Sequence, residues 1–162
     1  MTEEIQVRST RPEEAPAILA ITEEVGVFEP EEVATLDELL RAYIGDGPEK
    51  SGYYFLSCMQ NGRVAGFACY GPHALTQATF DLYWIASMPS AQGKGVGDAL
   101  LRQTEQNIRS SGGRLIIAET STLPSYEPAR RFYESHHYRR EAVIQDFYSK
   151  GDGLVLYSKR IE

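Results

Sequence analysis

The sequence is poor in several things that would have pointed elsewhere. Two cysteines and three histidines among 162 residues exclude a disulfide-stapled scaffold, and no histidine has metal-ligand spacing with other ligands, so no metal is expected. No apolar run reaches the length of a membrane span, and the opening MTEEIQVRST lacks the apolar centre of a signal peptide. The expected location is the cytoplasm, with no membrane partner. Positive charge is scarce, 16 Lys and Arg against 23 Asp and Glu, whereas nucleic-acid binders cluster bases on one face; no nucleic-acid partner is expected. The deficit is also uneven. Residues 1–52 hold 13 acids and 4 bases, a net −9, and the remainder carries +2. Repeats and low-complexity segments are absent. What is present is an ordinary globular composition of a length that predicts one domain over residues 1–162.

The two cysteines read as separate core residues. A two-residue turn at Asn61-Gly62 sets Cys58 opposite Ala65 and Cys69 opposite Tyr54. The thiols then share a face about four residues apart, roughly 13 Å at ~3.3 Å per residue. That is too far for a disulfide, which needs Cα atoms within about 7 Å.

The chain is organised around Phe80–Ile108, FDLYWIASMPSAQGKGVGDALLRQTEQNI. It opens as an aromatic and β-branched strand, crosses Met88-Pro89-Ser90-Ala91, and becomes a helix whose buried face is Gly97, Leu100, Leu101, Thr104 and Ile108. Three alternate glycines stand where the helix begins. A first helical turn has unpaired N–H groups and partial positive charge, and glycines let an anion approach the backbone, so the stretch reads as a diphosphate cradle. Two familiar phosphate loops do not fit. Lys94 is followed by Gly95, not by the Ser or Thr of a P-loop, and Asp98 stands where the dinucleotide fingerprint needs its third glycine. The pattern that fits is Q-x-x-G-x-G, as Gln92, Gly95 and Gly97. It resembles the acyl-CoA signature of the GNAT superfamily of N-acetyltransferases. The resemblance implies that Gln92, Gly93, Lys94, Gly95, Val96 and Gly97 hold the coenzyme A diphosphate through backbone amides, with Lys94 adding charge beside it.

Taken in order, Ile5–Arg8 alternates as a strand. Pro12-Glu13-Glu14 opens a helix with Ala15, Ile18, Ile21 or Thr22, and Val25 inward, and a second helix runs from about Pro30 to Tyr43. A hairpin follows, Tyr53–Gln60 and Arg63–Tyr70, broken by Gly71-Pro72. After the central strand and its helix, Gly112-Gly113 is a helix stop and Arg114–Thr120 a buried strand parallel to the central one. A short helix begins near Tyr126 with Ser125 as its cap and Ala129, Phe132, Tyr133 and His136 inward, and two strands, about Tyr138–Phe147 and Gly153–Arg160, close the chain. The order β-α-α-β-β-β-α-β-α-β-β resembles the GNAT fold over nearly the whole length. Ala129-Arg130-Arg131-Phe132-Tyr133 resembles that family's A-x-x-[FL]-Y helix. The expected fold class is therefore α/β, a GNAT fold with a mixed central sheet of about seven strands and four helices.

The resemblance implies acetyl transfer from acetyl-CoA, as co-substrate, to the primary amine of a small molecule or peptide. It also implies that the strands ending at Ser87 and Thr120 splay apart, so that the pantetheine arm pairs with the backbone of Ile85, Ala86 and Ser87. A phenol of pKa near 10 can protonate a departing thiolate, and Tyr133 holds the position of the family's acid. Alkyl ammonium titrates near 10.4, so the acceptor needs a base. Asp81 and Glu119 each match a branch of the family that places a glutamate there, and a water chain is the third option. Tyr126 stands where the family has a coenzyme-contacting asparagine, and His137 where it has a glycine; His137 reads as a left-handed helix end, not a catalytic group. Arg130 and Arg131 are expected on a solvated helix face. The acidic first helices suggest a cationic acceptor. A non-catalytic acyl-CoA sensor, transfer of a longer acyl group, and a homodimer through the C-terminal edge strands stay open.

Overall fold

The computed structural model describes residues 4–162, so the first three positions of the acidic opening stretch lie outside the described residues. Strand β1 (Ile5–Ser9) leads through a 3-10 turn at Pro12–Glu14 into helices α1 (Ala15–Val25), α2 (Pro30–Asp46) and α3 (Pro48–Ser51). Then come β2 (Tyr54–Gln60), β3 (Arg63–Pro72) and β4 (Thr79–Ser87), α4 (Val96–Ser110), β5 (Leu115–Ser121), α5 (Glu127–Ser135), β6 (Arg139–Ser149) and β7 (Asp152–Arg160). The strands form one sheet in the order β1-β2-β3-β4-β5-β7-β6, with β4 and β5 its parallel pair. A helical crossover is what a parallel pair requires, and α4 supplies it. Four helices of more than one turn and seven strands match the expected class; the four-residue α3 was not foreseen.

Both sheet faces are covered. Leu100, Leu101 and Ile108 of α4 pack with Leu56, Cys58, Tyr70 and Ile116 on one side, joined by Tyr133 of α5. Ile18, Ile21, Leu36 and Leu40 of α1 and α2 pack with Phe55, Phe67 and Cys69 on the other. Burying each large aliphatic side chain contributes roughly 1.5–3 kcal/mol. Helix α4 can lie close to the sheet because position 66 is glycine. A Cβ there would come 2.7 Å from Val96 Cγ1 and 2.8 Å from the Ala86 carbonyl.

Two bulges correct the expected registers. Met59 faces Val64 but Cys58 faces Gly66, so Ala65 is an extra residue on β3, and Cys69 lies opposite Phe55, not Tyr54. A one-residue slip moves side chains to the other face, so the cysteines sit in different cores on opposite sides of the sheet. Both are free and buried, and burial pushes the Cys58 thiol up to about 11 and Cys69 well above its ordinary range. The second bulge is on β4. Cys69 faces Trp84 and Tyr70 faces Leu82, which leaves Tyr83 unmatched. Gly71-Pro72 does not break β3, which stays paired to Asp81 and Phe80. The proline is tolerated because β2 has ended at its Tyr54–Tyr70 pair, leaving that side of the strand free.

Candidate active site

β4 and β5 pair from Thr79–Leu115 to Leu82–Ala118 and then part. The parting coincides with the Tyr83 bulge, which twists β4 away while β5 follows β7 as far as Ser121–Leu154. A cavity of about 660 Å³ occupies the opening, lined among others by Ile85, Ala86 and Ser87 on β4, Glu119 and Thr120 on β5, and Tyr133 on α5. On their other side Ile85, Ala86 and Ser87 pair with Ala68, Phe67 and Gly66 of β3, so their free main-chain edge faces the gap.

The glycine loop forms one end of this cavity through Gln92, Gly93, Gly95 and Gly97. Gly93 (φ 77°) and Gly95 (φ 86°) are left-handed, the conformation for which glycine is suited, and Gly95 caps α4. Val96, Gly97 and Asp98 form the first turn, where amides have no partner within the helix. The loop therefore presents N–H groups and the positive end of a 15-residue helix to the cavity. The Val96 side chain is buried in the core, so only its backbone is available, and the exposed Lys94 does not line the cavity. A Cβ at position 97 would lie 3.2 Å from Phe132, so Gly97 also lets α4 and α5 approach closely. Asp98 Oδ1 lies 2.8 Å from His136 Nε2, a contact between the start of α4 and the end of α5. Neither sequence spacing nor motif had linked those two residues.

Tyr133 lines the cavity with 7% of its surface exposed, and its hydroxyl has no hydrogen-bond partner among the described residues. Burial, with a smaller effect from Tyr157, pushes this phenol above its ordinary value. Its ring is wedged against Phe132, Tyr138 and Tyr157. Helix α5 starts without a side-chain cap, so Ser125 does not fill the expected role and instead lines the cavity. His137 is left-handed at φ 69° just past the helix end, as its place after α5 predicted. Arg130 donates to the Ser121 and Leu123 carbonyls and Arg131 pairs with Glu127, which leaves both as structural contacts.

The two carboxylates proposed as bases part company. Glu119 is exposed and lines the cavity. Asp81 sits where β4 and β5 are still paired, away from the cavity lining, and its carboxylate takes a 2.7 Å bond with His73 Nδ1. Tyr126 lines the cavity as well. Its hydroxyl donates to the Val27 carbonyl at 3.1 Å and its ring meets Phe28 edge-on, so it joins the α5 entrance to the α1–α2 loop. Phe28 in turn packs on Trp84 at 4.8 Å, and Val25, Val27, Phe28 and Trp84 complete the far wall. Sequence reading missed this wall.

Residues 17–138 match the acetyltransferase (GNAT) family. The chain belongs to the GNAT family of acetyltransferases. It is similar to a GNAT-family protein from Desulfovibrio desulfuricans, at 38% identity and TM-score 0.93 over 98% of this chain and 100% of that one. A Salmonella typhimurium protein solved with its cofactor acetyl-CoA shares the fold at 20% identity and TM-score 0.78, covering 98% of this chain and 94% of that one. So does the ribosomal-protein-S18-alanine N-acetyltransferase of Escherichia coli, at 20% identity and TM-score 0.79 over 98% and 95%. None of the curated proteins matches the chain. Among the described residues no group of three or more potential metal ligands occurs, and no helix is long and apolar enough to cross a membrane.

Proposed function

We propose that this GNAT-family chain transfers the acetyl group of acetyl-CoA directly to the primary amine of a small molecule or peptide. The observation that carries the proposal is a single cavity that joins the α4 amide loop to the unpartnered hydroxyl of Tyr133. The residues present fit the coenzyme. The amides of Gly93 and Gly95–Gly97 suit a diphosphate, those of Gln92 and Lys94 being given to the Pro89 and Ala91 carbonyls, and the free main-chain edge of Ile85–Ser87 suits the amides of a pantetheine arm. When bound, the coenzyme supplies an acetyl group activated as a thioester. In this reading a main-chain N–H of the β4 edge stabilises negative charge on the reacting carbonyl. Tyr133 Oη holds the proton that a departing thiolate takes, and its raised pKa keeps that proton in place through the neutral range. In this reading Glu119, which lines the cavity, guides removal of the acceptor's proton, a role supported over Asp81 by the latter's bond to His73.

The acceptor in this reading is cationic before reaction, attracted by the acidic α1–α2 half of the chain. Thiol release from acetyl-CoA over a panel of alkyl amines, amino acids and peptides tests the assignment. Turnover with at least one amine, weakened by added salt, is expected. Tight coenzyme binding without turnover for any amine would instead mark a binding module.

A further inference from the structure

The stretch that offers amides to the coenzyme is followed at once by an acid. Gln92–Gly97 contains none, but Asp98 completes the first turn of α4 and lines the same cavity as Gly93, Gly95 and Gly97. A carboxylate there is favourable for the empty helix, whose first turn is its positive end. It is unfavourable once a diphosphate takes that end, because two anions then share one place. The carboxylate therefore needs an answering charge. Lys94 is exposed and does not line the cavity, and no Lys or Arg pairs with Asp98 among the described residues. Its ion-pair partner there is His136, with Nε2 2.8 Å from Oδ1.

The neighbours of His136 show where its protons lie. Nδ1 is 2.8 Å from the Phe132 carbonyl oxygen, which only accepts, so Nδ1 carries hydrogen. Ser135 Oγ, 3.2 Å from Nδ1, donates its own proton to the same carbonyl and so is an acceptor as well. Nε2 faces a carboxylate oxygen, which would repel a bare lone pair at that distance, so Nε2 also carries hydrogen. His136 in this arrangement is an imidazolium. Its side chain is only 20% exposed and packs on Phe132 with ring centroids 4.5 Å apart, whereas the Asp98 side chain is 56% exposed. The histidine is the anchored member of the pair.

Resting on the coenzyme reading above, we infer that His136 is a positioning residue for coenzyme A. Its charge neutralises the Asp98 carboxylate and holds it toward α5, which leaves the start of α4 open to the diphosphate. The pair together is neutral. Losing His136 leaves one negative charge at the diphosphate site, and losing Asp98 leaves one positive charge.

Calorimetric titration of the full-length protein with coenzyme A, near neutral pH, tests this without turnover. His136→Gln should weaken binding about tenfold, the effect of one unanswered like charge a few ångströms from an anion at a protein surface. Asp98→Asn should bind at least as tightly as wild type, and the double variant should return to within about threefold of wild type. Added salt should draw the four affinities together. Dephospho-coenzyme A, which lacks the 3′-phosphate but keeps the diphosphate, should show the same order. A His136→Gln affinity equal to wild type overturns the inference. So does a loss that persists in the double variant, which would reduce His136 to a support for Phe132, or a loss absent with dephospho-coenzyme A. Should His136→Gln fold poorly, the exposed Asp98→Asn still decides, since weaker binding than wild type contradicts the inference. Wild-type protein that fails to bind coenzyme A at all would remove the acetyl-transfer reading, and this inference with it.

Discussion

Replacing Tyr133 by phenylalanine removes one oxygen and little else. The ring would keep its contacts with Phe132, Tyr138 and Tyr157, whose centroids lie 5.5–5.7 Å away. The hydroxyl has no partner among the described residues, so its loss should change stability by less than about 1 kcal/mol. Its loss from the reaction should be far larger. Proton transfer by a positioned side chain contributes about 10²–10⁴-fold, so kcat should fall at least about 100-fold, near 2.7 kcal/mol of barrier. The KM for acetyl-CoA should stay within about threefold, since the diphosphate loop lies elsewhere on the cavity wall. The pH profile adds a second reading. Because burial raises the phenol above its ordinary value near 10, the wild-type group keeps its proton to higher pH than a solvent-exposed tyrosine. Loss of the acid should therefore not limit the rate below pH 10. Steady-state kinetics with matched thermal melts check all of this. A Tyr133→Phe enzyme with kcat within about threefold of wild type, folded normally, refutes the role given to the hydroxyl.

Other outcomes follow from the same structure. Glu119→Gln should lower kcat/KM for the amine by about 10²-fold at neutral pH, whereas Asp81→Asn should stay within about threefold, because Asp81 is turned to His73; the reverse order in steady-state rates would exchange their roles. Arg8 grips Glu14 with two bonds of 2.9 and 2.7 Å. Burial pushes the Glu14 carboxyl up, but Arg8, the Arg11 amide and Ser57 outweigh it and leave it below its ordinary value. Its contribution is therefore present above the ordinary carboxylate range and is lost as pH falls through the lowered folded value. Arg8→Met should cost about 3 kcal/mol at pH 7 in urea unfolding, with a smaller difference in acid. Gly66→Ala should cost about 2 kcal/mol or more by overpacking against the Ala86 carbonyl, read as a drop in Tm. Both thiols should resist Ellman's reagent at pH 8 until the chain unfolds, since burial raises both.

Periodicity carried the sequence reading of the fold, because faces of helices and strands repeat locally. The Leu100, Leu101, Ile108 stripe and the Asn61-Gly62 turn each lie within one short window, and both were legible. The bulges at Ala65 and Tyr83 were not, since either strand alternates normally by itself and the extra residue shows only against its partner. That slip put Cys69 on the wrong face and hid the reason for the parting of β4 from β5. Of the cavity lining, Gln92, Gly93, Gly95, Gly97 and Tyr133 lie within compact motifs. The far wall does not. Tyr126 reaches Val27 across 99 positions, and His136 reaches Asp98 between two helices, contacts without local signature. Asp81 drew notice because an acid inside an apolar strand is unusual; its partner His73, eight residues earlier across the β3–β4 turn, carried no local signature.

A crystal structure with coenzyme A bound tests the central claim most directly. The account predicts the diphosphate within hydrogen-bond reach of the amides of Gly93 and Gly95–Gly97, and the sulfur within about 3.5 Å of Tyr133 Oη. A diphosphate bound away from the start of α4, or a sulfur more than about 6 Å from that oxygen with no bridging water, contradicts it.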